Sequence, residues 1–424
     1  MIWLIVGILI LLAALGAPLF AVLGAIALIG FYSAGQEGIA VAVEFYRLSD
    51  MPALIAIPLF TLAGYILAES KTPQRLVRLT NALVGWMPGG LAIVAVLACT
   101  LFTAFTGATG VTIIALGAVL YPALRQAQYG EKFSLGLLTA SGSLGLLLVP
   151  SMPLILYGVV AQQFQPVSID ALFKAGVLPC LLMVVMLGVY SAWHVRDVAR
   201  PQRATLGELG AALKDAAWEI PLPFVILIGI YSGKLAASEA AAATALYVLL
   251  VTVLIRREIK LGELPRVIRH AMVLVGGILV ILGFSLALTN WLIDAEVPEK
   301  LFQFLRTHIP ESNPFLFLLA LNLFLLVFGM LLEGFPAIIL LVPLVLPVAV
   351  RYGIDPVHLG IIFLANLQLG IFLPPLGINL YIASARFRQP VMTLVRAAVP
   401  FFLIMLAATL IITYWPGLSL WLAR

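Results

Sequence analysis

Residues 369–384 read "LGIFLPPLGINLYIAS". They lie in an apolar run from Leu359 to Ala385, long enough to cross a bilayer. Yet two adjacent prolines, flanking glycines and an asparagine interrupt it near the middle. Proline lacks an N–H, and its ring clashes with the carbonyl four residues earlier. Pro374 and Pro375 therefore free the carbonyls of Gly370 and Ile371. Gly370 and Gly377, with Gly145 earlier in the chain, are expected to supply unusual backbone angles nearby. The spacing predicts a span broken into two half-helices. Carbonyls closing the first half attract a small hard cation, and N–H groups opening the second attract an anion.

An offset of 225 residues lays a second copy on the first. Gly145 falls on Gly370, Pro150 on Pro375 and Pro122 on Pro347. Ile113, Leu116, Ala140, Leu144 and Leu148 also meet identical residues, without a gap. In the first copy, Pro150 and Pro153 free the carbonyls of Leu146 and Val149. Proline and glycine are common in membrane helices, so one Pro-Pro pair alone reads as a packing kink. Two breaks in register make a repeated structural feature the better reading.

Outward from these breaks, the chain of 424 residues is 63% hydrophobic and only 10% charged. It cannot build the polar shell of a soluble protein of that size, which leaves a polytopic membrane protein. Spanning segments are expected at about 2–31, 51–69, 133–162, 172–194, 219–233, 235–255, 271–293, 358–385 and 395–423. The first lacks a basic n-region and is too long for a signal-peptide core, so it reads as a retained span kinked at Pro18. Regions 89–125 and 313–351 are each too long for one span and are interrupted at 105–112 and 328–337. Both read as helical hairpins that return to their starting side, with non-helical backbone sheltered by protein or water. Loops 71–78, 125–132, 196–214, 256–269 and 386–396 then share one side and hold 17 of the 24 basic residues. The positive-inside rule makes that side cytoplasmic. The two copies run in opposite directions, the inverted repeat of secondary transporters, whose sites lie at the repeat interface.

The polar residues near these interruptions are the candidates for chemistry. Thr103, Thr106 and Thr109, with Gly107 and Gly110, surround the first hairpin turn. Ser141, Ser143 and Ser151 flank the first break; for any one of them a bond back to its own helix competes with a ligand role. Glu333 and Gly334 form the second turn, and Asn366, Gln368 and Asn379 surround the second break. Glu333 could bind a cation, carry a proton or cap the following half-hairpin. This oxygen-rich set suits sodium better than a transition metal. His194, His270, His308 and His358 are scattered near span ends and read as solvated or interfacial. Cys99 and Cys180 are isolated, so no disulfide or zinc site is expected. No hydrolase or nucleotide-binding motif occurs, which speaks against an enzyme. The net charge of +5 is spread over loops and gives no nucleic-acid signal. Residues 201–218 alternate polar and apolar groups with helical period and are expected to lie along the cytoplasmic leaflet.

These stretches resemble the large membrane subunit of tripartite ATP-independent periplasmic (TRAP) transporters. The resemblance rests on "AIPLFTLAGYIL" (56–67), "LVGWMPGGLAIV" (83–94), "GATGVTIIALGAVLYPAL" (107–124), "GLLTASGSLGLLLVPSMPLILYG" (136–158), "GMLLEGFPAIILLVPLVLPV" (329–348) and 353–384. It covers essentially the whole chain, and its last stretch is the most specific. It implies an all-α elevator-type transporter with inverted repeats, two re-entrant hairpins and two broken helices. Implied domains are scaffold 1–87, first transport repeat 88–165, scaffold and connecting helices 166–312, second transport repeat 313–390 and a C-terminal span 391–424. It implies Na+ coupling, a small membrane subunit, a soluble periplasmic binding protein and residence in the bacterial inner membrane. The expected cargo is a small organic acid: a dicarboxylate, sialic acid or a sugar acid. Implied sodium ligands are Thr103, Thr106, Gly107, Gly145, Leu148 and Pro150 in one half, and Gly329, Gly334, Gly370, Leu373 and Pro375 in the other. Ser141, Ser151, Glu333, Asn366, Gly377 and Asn379 are the expected substrate contacts. A stand-alone sodium-coupled dicarboxylate carrier or exchanger of similar architecture is the alternative. The chain departs from the usual pattern at "TGATG" (106–110), Glu333 and "VPS" (149–151), where the family often has Ser-rich residues, Asp and a PPS-type break. These departures bear on ion affinity and substrate choice.

Overall fold

The computed structural model describes residues 7, 9, 11, 12, 17–196, 205–232, 234–374 and 377–423. Among them every regular element is helical. The chain opens with α1 (Leu19–Ser33), α2 (Ile39–Tyr46), α3 (Ala56–Glu69) and α4 (Thr72–Val84). The pair α5 (Gly90–Thr106) and α6 (Thr109–Gln126) precedes α7 (Glu131–Ser141) and α8 (Met152–Ala161). There follow α9 (Ile169–His194), α10 (Leu206–Asp215), α11 (Pro221–Tyr231), α12 (Ala237–Leu249), α13 (Leu264–Asp294) and α14 (Val297–His308). A second pair, α15 (Pro314–Leu331) and α16 (Gly334–Arg351), precedes α17 (Pro356–Gly370) and α18 (Ile378–Phe387), with α19 (Val391–Tyr414) and α20 (Pro416–Leu420) last. Among the described residues seven helices are long and apolar enough to cross a membrane, or eight with α7 and α8 taken as one bent span.

The 225-residue offset carries the element boundaries as well as the prolines. It moves α6 onto α16 at both ends, the start of α7 onto that of α17, and the start of α4 onto that of α14. The helices α4 and α14 each carry proline at their second residue, Pro73 and Pro298, where a missing N–H costs nothing. The repeat therefore begins earlier than the hairpins, with a pair of amphipathic helices.

Each pair folds back on itself. Thr103 Oγ1 and Thr112 Oγ1 lie 2.6 Å apart. Nine residues of continuous helix would hold their backbones about 13 Å apart. At the open end, the Tyr129 side chain reaches the backbone of Leu91 and Ala92. In the second pair the rings of Phe317 and Tyr352 stack at 4.3 Å, so the start of α15 lies beside the end of α16. Gly107 makes the first turn with φ +62°, a left-handed conformation that glycine adopts without penalty.

Both expected breaks are present. After α7 a 3-10 turn, Leu144–Leu147, leads to extended residues Leu148 and Ser151, and α8 leaves at 45°. After α17, residues 371–374 and 377 are non-helical; Pro375 lies outside the described residues. The role expected for three glycines is corrected here. Gly145, Gly370 and Gly377 are absent from the positive-φ residues. They permit close approach instead. A Cβ on Gly145 would collide with the backbone of Thr100 and Ala104, one on Gly370 with Gly329, and one on Gly377 with the Leu373 carbonyl. The freed carbonyls are also partly re-engaged. Gly370 O accepts from Leu373 N at 3.0 Å and Ile371 O from Asn379 N at 3.0 Å. Gly145 O accepts from Leu148 N at 3.1 Å, the same bond 225 residues earlier. Leu146 O takes the Ser151 hydroxyl.

The basic loops gather at one end. Arg75 is buried between Glu219 and Glu258. Asp215 meets Arg78 at 3.2 Å and Arg256 at 3.6 Å, and Gln389 donates to Glu131 at 2.9 Å. Arg351 pairs with Glu299 away from this cluster, between α14 and the end of α16. Within the amphipathic stretch expected at 201–218, residues 201–204 lie outside the described residues and α10 covers Leu206–Asp215, opened by a Thr205–Glu208 capping box. The expected span 219–233 is helical only over the 11 residues of α11, too short to cross alone, with turns at 216–220 before it. The expectation for His358 is also corrected: it is 2% exposed, with Nε2 3.2 Å from Thr413 O. Cys99 and Cys180 are free and buried.

Candidate functional site

The two turns and the two breaks meet at one cavity of about 240 Å³. The first hairpin contributes Gly107 to Val111 and Ile114, and the second Glu333 to Phe335. The breaks contribute Leu146 and Pro153 from one copy, Ile371, Ile378 and Ile382 from the other. Tyr65 of α3 and Leu274 of α13 close it from outside the repeated units.

Local sequence explains the arrangement. Helices α6, α16, α8 and α18 all begin at the cavity, at Thr109, Gly334, Met152 and Ile378. Their first N–H groups lack intrahelical partners, and each start carries roughly half a positive charge. Ser151 serves α8 by accepting from Leu154 N at 3.3 Å. No side chain caps α6, α16 or α18; at α18 the Asn379 and Leu380 N–H groups donate to Ile371 O at 3.0 Å and Gly377 O at 2.9 Å, so the open N–H groups are chiefly those of α6 and α16. Glu333 stands at the cap position of α16, yet its carboxylate makes no capping bond and the residue is exposed at the cavity.

At the cavity a hydrogen bond joins the two copies. Thr109 Oγ1 donates to Asn379 Oδ1 at 2.7 Å, tying the first hairpin turn to the second break. The Asn379 amide nitrogen is buried with no partner among the described residues, as is the Thr106 hydroxyl. A buried polar atom without a partner costs about 1–3 kcal/mol, so these two atoms favour a bound guest at the junction.

The remaining candidates divide. Thr103 and Gly145 are in contact, and the Thr103 hydroxyl donates to Gly142 O at 2.9 Å. Thr106 and Gly107 continue that patch at the turn, and Leu148 and Pro150 lie in the adjoining break. Gly329 lies against Gly370, with Leu373 in the break beyond, while Gly334 borders the cavity. Ser141 is bonded back to Leu137 O at 2.7 Å, and Ser151 caps α8. Asn366 belongs to a different place. Its amide donates to Asn322 Oδ1 at 2.6 Å, which also accepts from Thr413 at 3.1 Å. This buried network joins α15, α17 and α19.

Tyr65 and Leu274 were not legible as site residues, because nothing in α3 or α13 interrupts an ordinary span. Asn322 was equally silent, a single amide in an apolar helix. For the Thr109–Asn379 bond the types were visible but the pairing, 270 residues apart, was not.

Known proteins resemble this chain over most of its length. The family described as tripartite ATP-independent periplasmic transporter, DctM component, matches residues 6–418. The C4-dicarboxylate TRAP transporter large permease protein DctM of Pseudomonas aeruginosa is 33% identical over 383 residues, 90% of this chain and 88% of that protein. The protein of the same name from Rhodobacter capsulatus is 32% identical over 430 residues, covering 98% and 97%. The Alcanivorax borkumensis YdaH transporter superposes with a TM-score of 0.64 at 17% identity over 90% of this chain and 88% of that one, a likeness of fold alone. Repeats, breaks and relatives lead to one assignment: this multi-pass membrane chain belongs to the DctM-component family of TRAP transporters, and is a transporter subunit rather than an enzyme.

Proposed function

We propose that this chain is the sodium-coupled, translocating subunit of an importer for a small organic acid in the bacterial inner membrane. The observation that carries the reading is the convergence of both turns and both breaks on one cavity. Uncapped helix starts suit a carboxylate, and break carbonyls with the Thr106 hydroxyl suit Na+. Thr103, Thr106, Gly107, Gly145, Leu148 and Pro150 would hold one ion. Gly329, Gly334, Gly370, Leu373 and Pro375 would hold another. The donor set fits: oxygen atoms only, one hydroxyl unpartnered, and carbonyls that each keep a second lone pair. Ser151, Glu333, Gly377 and Asn379 lie at or beside the cargo position. Cargo is delivered by a periplasmic binding protein, and a small membrane subunit completes the tripartite assembly, as the family description and the C4-dicarboxylate relatives support.

Movement is by elevator. The body that slides comprises α5–α9 and α15–α19, and the frame comprises α1–α4 and α11–α13. The resemblance implies a frame role for residues 166–312; we assign α9, together with α19, to the moving body instead, because a Cβ on Gly176 of α9 would strike Leu147 O and one on Gly136 of α7 would strike Ala397 O of α19.

The test is uptake by proteoliposomes holding the chain, its small subunit and its binding protein. Imposing an inward sodium gradient is expected to drive accumulation. Accumulation indifferent to sodium removes the coupling. Full uptake without the soluble protein favours a stand-alone carrier.

A further inference from the structure

We infer that the cargo is a small monocarboxylate with an apolar body, rather than a dicarboxylate or a polyhydroxylated acid. This rests on the transport reading above and narrows it.

The first argument is charge. The cavity lining holds one formally charged side chain, Glu333, and it is negative. No lysine or arginine is among the described lining residues. Positive potential comes from helix starts at about half a charge each, and from co-transported sodium. A monocarboxylate needs one anion-binding position, which the starts of α6 and α16 supply. A dicarboxylate adds a second anionic group in a low-dielectric cavity whose described lining has no lysine or arginine to meet it.

The second argument is the wall. Val111, Ile114, Phe335, Ile371, Ile378 and Ile382 give the cavity an apolar wall. Polar side-chain groups on it are the hydroxyls of Tyr65 and Thr109 and the Glu333 carboxylate. The Thr109 hydroxyl is already engaged by Asn379. A cargo rich in hydroxyls would give up water for a wall that returns few hydrogen bonds. A branched or cyclic apolar body gains by burial there and leaves its single carboxylate to the starts of α6 and α16.

The experiment uses the full chain in lipid nanodiscs with sodium, in equilibrium with radiolabelled 2-oxoisovalerate, succinate or N-acetylneuraminate. The expected result is saturable, sodium-dependent binding of 2-oxoisovalerate at least about tenfold tighter than the other two, the discrimination an apolar pocket commonly gives. Ile114→Ser is expected to weaken 2-oxoisovalerate about tenfold and leave succinate unchanged. Tighter binding of succinate or N-acetylneuraminate by the unsubstituted chain overturns the inference and leaves the transport reading standing. Binding of none of the three, with or without sodium, also overturns the inference, while the transport reading stands or falls by the sodium-driven accumulation described above.

Discussion

The Arg75 guanidinium is 5% exposed between two carboxylates. It hydrogen-bonds both, and Glu258 also accepts from the Lys71 N–H at 3.0 Å. Burial works against the charge on Glu258, but the bonds from Arg75 and Lys71 outweigh it and hold its carboxyl below the ordinary value of 4.5. Replacing Arg75 with alanine strands two buried negative charges and is expected to cost about 3–5 kcal/mol. The check is the unfolding midpoint of purified protein. The sign of the pH effect follows from the lowered carboxyl. Its stabilisation is complete above pH 4.5 and is lost as pH falls through the lower folded value. The unfolding midpoint should therefore drop on acidification below that point, and by less in Arg75→Ala. A second residue-scale prediction concerns Gly370. Alanine there would push α17 off the backbone of Gly329, whereas Gly276 has open space around it. Gly370→Ala is expected to cost about 1–3 kcal/mol and most of the uptake, and Gly276→Ala neither, by thermal melts and uptake side by side.

At the scale of elements, the hydrogen bond from Thr109 to Asn379 couples a turn of one copy to a break of the other. If the coupling matters to transport, Thr109→Val and Asn379→Ala should each lower uptake several-fold, and the double variant should be no worse than the poorer single one. Additive losses would show two independent roles. The elements themselves were largely legible in sequence, for a physical reason. Proline and glycine act on their own backbone, so Pro150, Pro153 and Pro374 announce a break without reference to neighbours. The 225-residue register then located both hairpins and both broken spans. What remained hidden depends on partners distant in the chain. Gly370 looked like a flexible hinge and is a contact surface. Ser141 was a plausible ligand and is bonded to its own helix. Nothing in the sequence pairs Glu219 and Glu258 with Arg75, and only folding brings them together.

On the proposed elevator reading, the repeated body must slide past the frame. The contact that must slip is visible where α3 meets the first turn and break. Thr61 Oγ1 lies 2.9 Å from Met152 Sδ, and Gly64 is pressed against Thr106. Inside the moving body the contrast is Phe133 on α7 with Phe401 on α19, whose rings lie 5.5 Å apart. Cysteine pairs at these two places distinguish sliding from a static bundle. Cross-linking Thr61→Cys to Met152→Cys joins frame to body and is expected to abolish uptake, with recovery on reduction. Cross-linking Phe133→Cys to Phe401→Cys joins two parts of the body and is expected to leave most uptake intact. Loss of uptake in both would place α19 in the frame, and loss in neither would mean that cargo crosses without the body moving past α3.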